Sequence, residues 1–223
     1  MGLRRRIAEK MAEAKRRIPH FGYVEEVDVT ELEALRRHLN ASHPDRPRLT
    51  LLPFLMAAVV KAAAAYPQIN ARYDDEAGIV TRSGAVHIGI AVQTDAGLMV
   101  PVVRNAEARS LWDNASEVAR LASAARAGTA ARDELSGSTI TITSLGPLGG
   151  ISHFPVINHP EVAILGPNKI VERPVVRHGQ VVVRQMMNIS SAFDHRVVDG
   201  QEAAEFIQRI KALLEHPASL FVD

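Results

Sequence analysis

The sequence predicts a mixed α/β fold in a single domain spanning residues 1–223. Segments with the helical spacing of apolar residues alternate with extended, β-branched segments along the whole chain. A chain of 223 residues is long enough to bury one substantial core. No internal repeat and no long linker divides it, and a hydrophobic content of 47% argues against a disordered chain.

The composition excludes several classes of protein. The net charge is +1, so the chain has no bulk attraction to nucleic acid or to anionic membranes. No apolar run approaches the roughly 20 residues that a membrane-spanning helix needs. Because the sequence contains no cysteine, disulfides, thiolate zinc sites and a cysteine nucleophile are excluded. We therefore expect a soluble, intracellular domain that binds neither nucleic acid nor membrane.

The first third of the chain contains three predicted helices and one strand. Thr30 and Glu33 form a capping-box pattern, which places the start of a helix at Thr30. Thr50 is suited to cap the next helix, which is apolar nearly all round and is therefore expected to be buried. The predicted elements are an amphipathic helix over 3–17, a strand over 21–29, a helix over 30–40, a loop over 41–48 and a helix that follows its cap at Thr50, has Pro53 in its first turn and has residues 56–65 as its body.

Short strands and a further helix occupy the middle of the chain. The turn residues 75–78 separate two extended segments and predict a hairpin. Pro101 interrupts a later strand, as at a sheet edge or a bulge. Ser110 and Asp113 indicate the capped start of a helix. The predicted elements are strands over 70–74, 79–82, 86–92 and 98–103, followed by a helix over 110–125.

The last third is mostly strand and ends in a helix. Hydroxyl side chains alternate with isoleucines over 138–143, so one face of that strand is polar and the other apolar. The predicted elements are strands over 138–143, 162–165, 170–176 and 181–192, a helix over 201–215 and an apolar tail at 220–222.

The strongest candidate for chemistry is a histidine between the last strand and the last helix. His195 precedes Asp199 and Gly200, in the kind of loop that commonly carries catalytic side chains. A free imidazole, with a pKa of roughly 6.5, can take up and return a proton near neutral pH. Asp199 could orient the imidazole or hold the loop through an arginine. The spacing leaves three other interpretations open: a helical i,i+4 pair, which Gly200 disfavours, a metal site lacking further ligands, or a structural histidine in a turn.

A hydroxyl-rich strand end followed by glycines is the second candidate. Thr143 and Ser144 precede the turn Gly146–Gly150, where a hydroxyl could donate to an oxyanion. The alternative is a half-buried threonine ladder followed by an ordinary turn. No nucleophile-elbow or phosphate-loop sequence is present, so Ser144 is a poor nucleophile. Three other histidines lie in or beside apolar segments and are expected to be packed and hydrogen-bonded: His87, His153 and His159.

Seven segments combine into a specific pattern that covers essentially the whole chain. They are Ile18–Phe21, Asp28–Leu32, Gly89–Val92, Gly97–Pro101, Thr139–Gly150, Pro160–Ile164 and Asp194–Gly200. In content and order they resemble the C-terminal catalytic domain of the dihydrolipoamide acyltransferase component of 2-oxo acid dehydrogenase complexes. The resemblance implies a chloramphenicol-acetyltransferase-like α/β fold, with a mixed sheet flanked by helices, that forms homotrimers. It also implies a hollow cubic or dodecahedral core in which the apolar tail joins the trimers.

The resemblance further implies the reaction and its residues. An acyl group passes between the thioester of dihydrolipoamide and the thiol of coenzyme A. His195 is implied as the general base, and Thr143 of a neighbouring subunit as the donor to the oxyanion. Asp199 is implied to hold the loop and the imidazole through an ion pair. Many relatives have serine where this chain has Thr143, and threonine keeps the hydroxyl donor.

Contacts with coenzyme A are implied at four positions: Arg36, Thr50, Ser144 and Asn168. No metal is expected, and the lipoyl group is expected from a separate lipoyl domain. The chain lacks that domain and the peripheral-subunit-binding domain, so we expect an excised core or a natural short form. The decarboxylase and dihydrolipoamide dehydrogenase components are expected to bind through those absent domains.

The acyl group is the least constrained part of the interpretation. Segments 18–23 and 148–151 look more like branched-chain members of the family, which favours branched-chain acyl groups, with acetyl as the alternative. A catalytically silent core is disfavoured because such relatives lose the histidine. A free-standing trimeric acetyltransferase is disfavoured by the full set of motifs. We expect a location in the bacterial cytoplasm or the mitochondrial matrix.

Overall fold

Helices and strands alternate along the computed structural model, which describes residues 3–222 apart from the side chains of Leu3, Arg6 and Pro147. The helices are α1 (Leu3–Arg17), α2 (Thr30–Ser42), α3 (Leu51–Ala65), α4 (Leu111–Ala127) and α5 (Gly200–Glu215). The strands are β1 (His20–Asp28), β2 (Ala71–Asp74), β3 (Ile79–Arg82), β4 (Ile88–Thr94), β5 (Gly97–Met99), β6 (Val102–Val103), β7 (Ile140–Thr143), β8 (Ala163–Pro167), β9 (Val171–Arg177) and β10 (Gln180–Asp194). The predicted domain also includes Met1, Gly2 and Asp223, which lie outside the described residues.

The main sheet is mixed, as the sequence predicts. Its strands follow the order β1-β10-β8-β7-β4-β5, with β6 paired to β4 and β9 paired to β10. The pairs β4–β7 and β7–β8 are parallel, and the other pairs are antiparallel. Strands β2 and β3 form the separate predicted hairpin. The parallel strands bring the ends of β7 and β8 to the same edge of the sheet, where the loops that follow them meet.

The large core lies on one face of the sheet, beneath α3, α4 and α5. Phe54 of α3, Phe193 of β10 and Phe206 of α5 are fully buried there. Helix α3 is buried as predicted, because it packs against both α4 and α5. The stabilisation from burying each large side chain is about 1.5–3 kcal/mol. None of the helices within residues 3–222 is long and apolar enough to cross a membrane.

Helix α1 covers the opposite face of the sheet with a small second core. Ala14 and Ile18 pack there against Ile157, Ile164 and Ala192. Successive residues of a strand point to opposite faces, so the neighbours of Ile164 and Ala192 in the chain enter the large core instead. The strongly basic remainder of α1 stays largely exposed.

The capping predictions have mixed outcomes. Ser110 and Asp113 form the predicted capping box at α4, with Ser110 Oγ accepting the Asp113 N–H at 3.2 Å. The capping box predicted from Thr30 is wrong, because Asp28 accepts both the N–H and the hydroxyl of Thr30, at 3.1 and 2.6 Å. Thr50 occupies the predicted N-cap position of α3 but makes no capping hydrogen bond through its side chain.

The predicted apolar tail divides into a buried and an exposed part. Leu220 packs into the large core and is only 6% exposed. Phe221 and Val222 are 55% and 63% exposed. The tail is therefore anchored by one residue and presents two apolar side chains at the surface.

Candidate functional site

A tight turn between β10 and α5 presents His195. The fully buried Asp194 fixes this turn, because its backbone carbonyl accepts the N–H groups of Val197 and Val198 at 3.0 and 2.9 Å. The His195 N–H donates to the Pro19 carbonyl at 3.2 Å, which ties the turn to the start of β1. The predicted position of His195 at the end of the long strand is confirmed.

The imidazole of His195 is exposed and is located by an aromatic contact. Its ring centroid lies 4.4 Å from that of Phe21, which in turn packs against the buried ring of Phe193. The imidazole nitrogens make no hydrogen bond with any side chain or backbone group of residues 3–222. An imidazole placed by packing, with both nitrogens open, suits proton transfer with a bound substrate.

Arg196 joins the turn to the β2–β3 hairpin. Its guanidinium donates to Asp194 at 2.6 Å, pairs with Asp75 and lies 4.4 Å from the ring centroid of Tyr73. Asp75 also accepts from His159 Nε2 at 2.7 Å. Burial raises the pKa of Asp75, but the hydrogen bonds from His159 and Arg196 outweigh it and hold that pKa below its usual value. The sequence contained these residues but gave no signal that the hairpin reaches the turn.

Asp199 has a different role from the implied ion pair. It is the N-cap of α5, and its carboxylate accepts the Glu202 N–H at 2.8 Å. Within residues 3–222 it is in no ion pair, while Arg196 is taken by Asp194 and Asp75. The described residues of the single chain therefore do not form the expected ion pair. The reason is local, since the open N–H groups at a helix start compete well for a carboxylate.

Thr143 ends β7 in a crowded part of the sheet. A Cβ atom on Gly166 would lie 2.1 Å from the Thr143 carbonyl oxygen, so only glycine allows β8 to approach so closely. Across the described residues the Thr143 hydroxyl has no hydrogen-bond partner, and no contact within the chain joins Thr143 to His195. The hydroxyl group of Thr143 is therefore available as a hydrogen-bond donor.

The four residues implied in coenzyme A contacts line one cleft of about 820 Å³, called here the first cleft. Arg36 comes from α2, Thr50 from the start of α3, Ser144 from the loop after β7 and Asn168 from the end of β8. Leu51, Leu52 and Ile170 add an apolar wall. The fold thus brings together residues that are up to 132 positions apart in the chain.

Two of these residues are firmly held. Arg36 donates to Glu33 through Nε and Nη2, at 2.8 and 2.6 Å, and these hydrogen bonds raise its pKa. Buried Asn168 accepts from Ser190 Oγ at 2.8 Å and lies 3.0 Å from Nδ1 of His153. Burial lowers the pKa of His153, which favours its neutral form. His153 is therefore packed and hydrogen-bonded, as predicted.

Comparison with known proteins gives a consistent result. A model of the family described as "2-oxoacid dehydrogenases acyltransferase (catalytic domain)" matches residues 1–222. The lipoamide acyltransferase component of the branched-chain alpha-keto acid dehydrogenase complex of Pseudomonas aeruginosa is 69% identical over all of this chain and 52% of its own length. The dihydrolipoyllysine-residue acetyltransferase component of the pyruvate dehydrogenase complex of Bacillus subtilis is 40% identical over all of this chain and 50% of its own length. The chain therefore spans about half the length of these relatives.

Solved structures show the same fold. The dihydrolipoamide acetyltransferase of Azotobacter vinelandii, studied for the roles of a serine, a histidine and an asparagine in catalysis, superposes with a TM-score of 0.95 at 36% identity, covering 99% of this chain and 91% of that one. The cubic core of the pyruvate dehydrogenase multienzyme complex gives the same values. Chloramphenicol acetyltransferase, at 14% identity, has a TM-score of 0.54 over 92% of this chain and 94% of its own, which confirms the predicted fold class.

Proposed function

This chain belongs to the 2-oxoacid dehydrogenase acyltransferase family, as the catalytic domain, and we propose that it transfers an acyl group between dihydrolipoamide and coenzyme A. The observation that carries the proposal is the single cleft formed by all four residues expected to contact the coenzyme. The exposed imidazole of His195, with both nitrogens open, supplies the base that the reaction requires.

In the proposed mechanism the protein transfers one proton and stabilises one oxyanion on the substrate. A thiol with a pKa of roughly 8.5 is mostly protonated at neutral pH, so His195 removes the proton as the sulfur attacks the thioester carbonyl carbon. The carbonyl oxygen becomes an oxyanion, which accepts a hydrogen bond from the hydroxyl of Thr143. When the tetrahedral intermediate collapses, the carbon–sulfur bond to the lipoyl group breaks. His195 then returns the proton to the departing sulfur.

Asp199 and Arg196 are positioning residues in this mechanism. Asp199 fixes where α5 begins, four residues after the base. Arg196 clamps the turn between Asp194 and Asp75. Neither side chain forms a hydrogen bond with the imidazole of His195 within residues 3–222.

The proposed site lies between subunits of a homotrimer, with Thr143 facing His195 of a neighbouring chain. The lack of a hydrogen bond between His195 and Thr143 among residues 3–222 of one chain supports this arrangement. Four apolar side chains on the loop after β7 also need covering, with exposed fractions between 57% and 89%: Leu145, Leu148, Ile151 and Phe154. Large exposed apolar patches mark association surfaces. Assembly of trimers into a core is supported by the likeness to the cubic core.

The proposed acyl group is branched, and acetyl is the alternative. The relative at 69% identity carries a branched-chain name, whereas the one at 40% carries an acetyltransferase name. The lipoyl group is proposed to arrive on a separate lipoyl domain, and the other two components of the complex to bind through domains outside this chain. The bacterial relatives support a location in the bacterial cytoplasm.

The test replaces the base and measures acyl transfer from acyl-coenzyme A to free dihydrolipoamide. His195→Ala is expected to assemble normally and to lose about 10²- to 10⁴-fold in kcat, the usual contribution of a general base. His38→Ala, at an exposed position of α2, is the matched control and is expected to keep full activity. Undiminished transfer by His195→Ala contradicts the proposal. A higher kcat/KM for isobutyryl than for acetyl donors supports the branched-chain assignment.

A further inference from the structure

The imidazole of His153 lies on the sheet beside Thr143, in the space that a side chain at Gly166 would fill. A Cβ atom on Gly166 would lie 2.8 Å from His153 Nε2 and 2.1 Å from the Thr143 carbonyl oxygen. Gly166 pairs with Ser190 of β10, and the register of β7 and β8, continued by one residue, places Thr143 on its other side. Neighbouring strands are about 4.8 Å apart, so the imidazole and Thr143 are immediate neighbours.

The side chain of Thr143 and the imidazole of His153 share one face of the sheet. Ile142 and Leu165, which precede Thr143 and Gly166 in the chain, point into the large core. Because successive residues of a strand point to opposite faces, Thr143 and the open side of Gly166 face away from that core. The hydroxyl of Thr143 and the imidazole therefore face the same space.

The hydrogen bonds around His153 determine which of its nitrogens carries the proton. Ser190 Oγ accepts the backbone N–H of His153 at 3.1 Å and donates its own proton to Asn168 Oδ1 at 2.8 Å. The amide nitrogen of Asn168 is therefore the atom that donates to His153 Nδ1, at 3.0 Å. A neutral imidazole that accepts at Nδ1 carries its proton on Nε2. Burial lowers the pKa of His153, which favours this neutral form.

The Nε2–H group of His153 is held in place and is open. Among the described residues it has no hydrogen-bond partner. The loop that carries it is fixed on both sides of the histidine. Asn188 Nδ2 donates to the Ile151 carbonyl at 2.9 Å, and the Ile157 N–H donates to His20 Nε2 at 3.0 Å. A donor that is placed before the substrate binds needs little reorganisation during the reaction.

We propose that His153 donates a second hydrogen bond, from Nε2–H, to the carbonyl oxygen of the thioester as that oxygen becomes an oxyanion. This inference rests on the proposed function, in which the hydroxyl of Thr143 donates the first hydrogen bond. Both donors then belong to one chain, and His195 of the neighbouring chain supplies the base. His153 keeps its proton throughout, so the proton transfers remain with His195. Two preorganised donors stabilise the developing charge more than one does.

The first test replaces the donor and measures acyl transfer from isobutyryl-coenzyme A to dihydrolipoamide. His153→Phe keeps a ring but has no N–H group, and it is expected to lose about 10²- to 10³-fold in kcat, the usual cost of removing one oxyanion donor. His153→Gln has an amide N–H of similar reach and is expected to regain at least about tenfold of that loss. His38→Phe, at an exposed position of α2, is the matched control and is expected to keep full activity.

The kinetic constants separate donation to the oxyanion from support of Asn168, which lines the first cleft. Loss of that support alone would raise the KM for the acyl donor and leave kcat unchanged, and this result for His153→Phe overturns the inference. An unchanged kcat and KM also overturns it. In either case acyl transfer by the wild type leaves the proposed function standing, whereas its absence in the wild type overturns the proposed function instead.

An infrared measurement tests the hydrogen bond without a variant of His153. Isobutyryl-coenzyme A, isotopically labelled at the thioester carbonyl, is bound to the wild type and to Thr143→Val. Hydrogen bonds to a carbonyl oxygen lower its stretching frequency. The labelled band in Thr143→Val is therefore expected to lie between that of the wild type and that of the same thioester in an aprotic solvent. A band at the aprotic position shows that no second donor is present and overturns the inference.

Discussion

At the scale of single residues, Glu161 is a buried carboxyl group surrounded by donors. It is 1% exposed, and it accepts from the Thr141 hydroxyl and the Asn158 amide, each at 2.6 Å, and from the Ser138 hydroxyl. Lys10 of α1 reaches the same cluster by donating to Asn158 at 2.7 Å. Burial dominates over these hydrogen bonds and raises the pKa of Glu161.

The raised pKa of Glu161 predicts that the free energy of unfolding falls with rising pH. Above a pH of about 4.3 the carboxyl ionises in the unfolded chain before it does in the folded chain. The folded state then holds more protons, so stability declines until the pH passes the folded pKa. Glu161→Gln cannot ionise, and it is expected to give an unfolding midpoint that changes less between pH 5 and pH 8.

The control for Glu161→Gln is Glu172→Gln, which removes an exposed carboxylate of β9. It is expected to leave the pH dependence of the wild type unchanged. Thermal unfolding at four pH values measures all three proteins. Identical slopes for the wild type and Glu161→Gln would show that Glu161 does not carry the effect.

At the scale of elements, the start of α5 determines the end of the turn that carries His195. Asp199 supplies a side-chain cap for α5, and loss of such a cap costs about 1 kcal/mol. Asp199→Ala is therefore expected to lower the free energy of unfolding by about that amount, as measured by urea denaturation. Asp199→Asn can still accept the Glu202 N–H, so it is expected to retain both stability and acyl transfer.

The pair of variants also distinguishes capping from an ion pair. An ion pair needs the charge of Asp199, and a cap needs only an acceptor oxygen. If Asp199→Asn loses as much activity as Asp199→Ala, the charge is essential and the capping role is insufficient.

The helices and strands were largely predictable because their signals are local. Residues 3–17 repeat apolar side chains at helical spacing, and Ser110 with Asp113 marks the start of α4 within four positions. The clamp of Arg196 by Asp75 joins residues 121 positions apart, and no local pattern predicts it. The capping role of Asp199 was not predicted for a related reason, since the spacing showed its nearness to His195 without showing which donor would take its carboxylate.

The candidate site shows the same difference between local signals, which are predictable, and contacts between distant elements, which are not. The family resemblance pointed to the four residues that line the first cleft, although only Ser144 lies within one of the seven matching segments. The stacking of Arg46 on Trp112 was not predicted, because it depends on how the loop over 41–48 folds against α4. Packing between elements determines how the loop lies against α4, and the spacing of residues along the sequence does not predict that packing.

At the scale of the whole molecule, the proposed site between subunits predicts complementation. His195→Ala and Thr143→Val should each be inactive alone when all chains carry the same change. In co-assembled trimers, an interface can combine His195 from one chain with Thr143 from its neighbour. Random mixing of equal amounts is expected to restore about a quarter of the sites.

The complementation experiment uses two differently tagged chains, co-expressed and purified through both tags. Regained acyl transfer in the doubly purified particles supports a shared site. Separately purified variants that are mixed without exchanging subunits serve as the control and are expected to remain inactive. Co-assembled particles that stay inactive contradict the pairing of His195 with Thr143 across an interface.

Strand β10 also determines where the length of this chain can vary. Its 15 residues span about 46 Å, pairing first with β9 and then with both β1 and β8, before ending at the turn that carries His195. An insertion at the His178–Gly179 turn only lengthens an exposed tip. A one-residue insertion within the second half of β10 would turn the side chains of Phe193 and Ala192 to the opposite faces of the sheet. It would also shift His195 from its place beside Phe21. The tip of this hairpin can therefore diverge freely in evolution, whereas the strand that continues from it must keep its length.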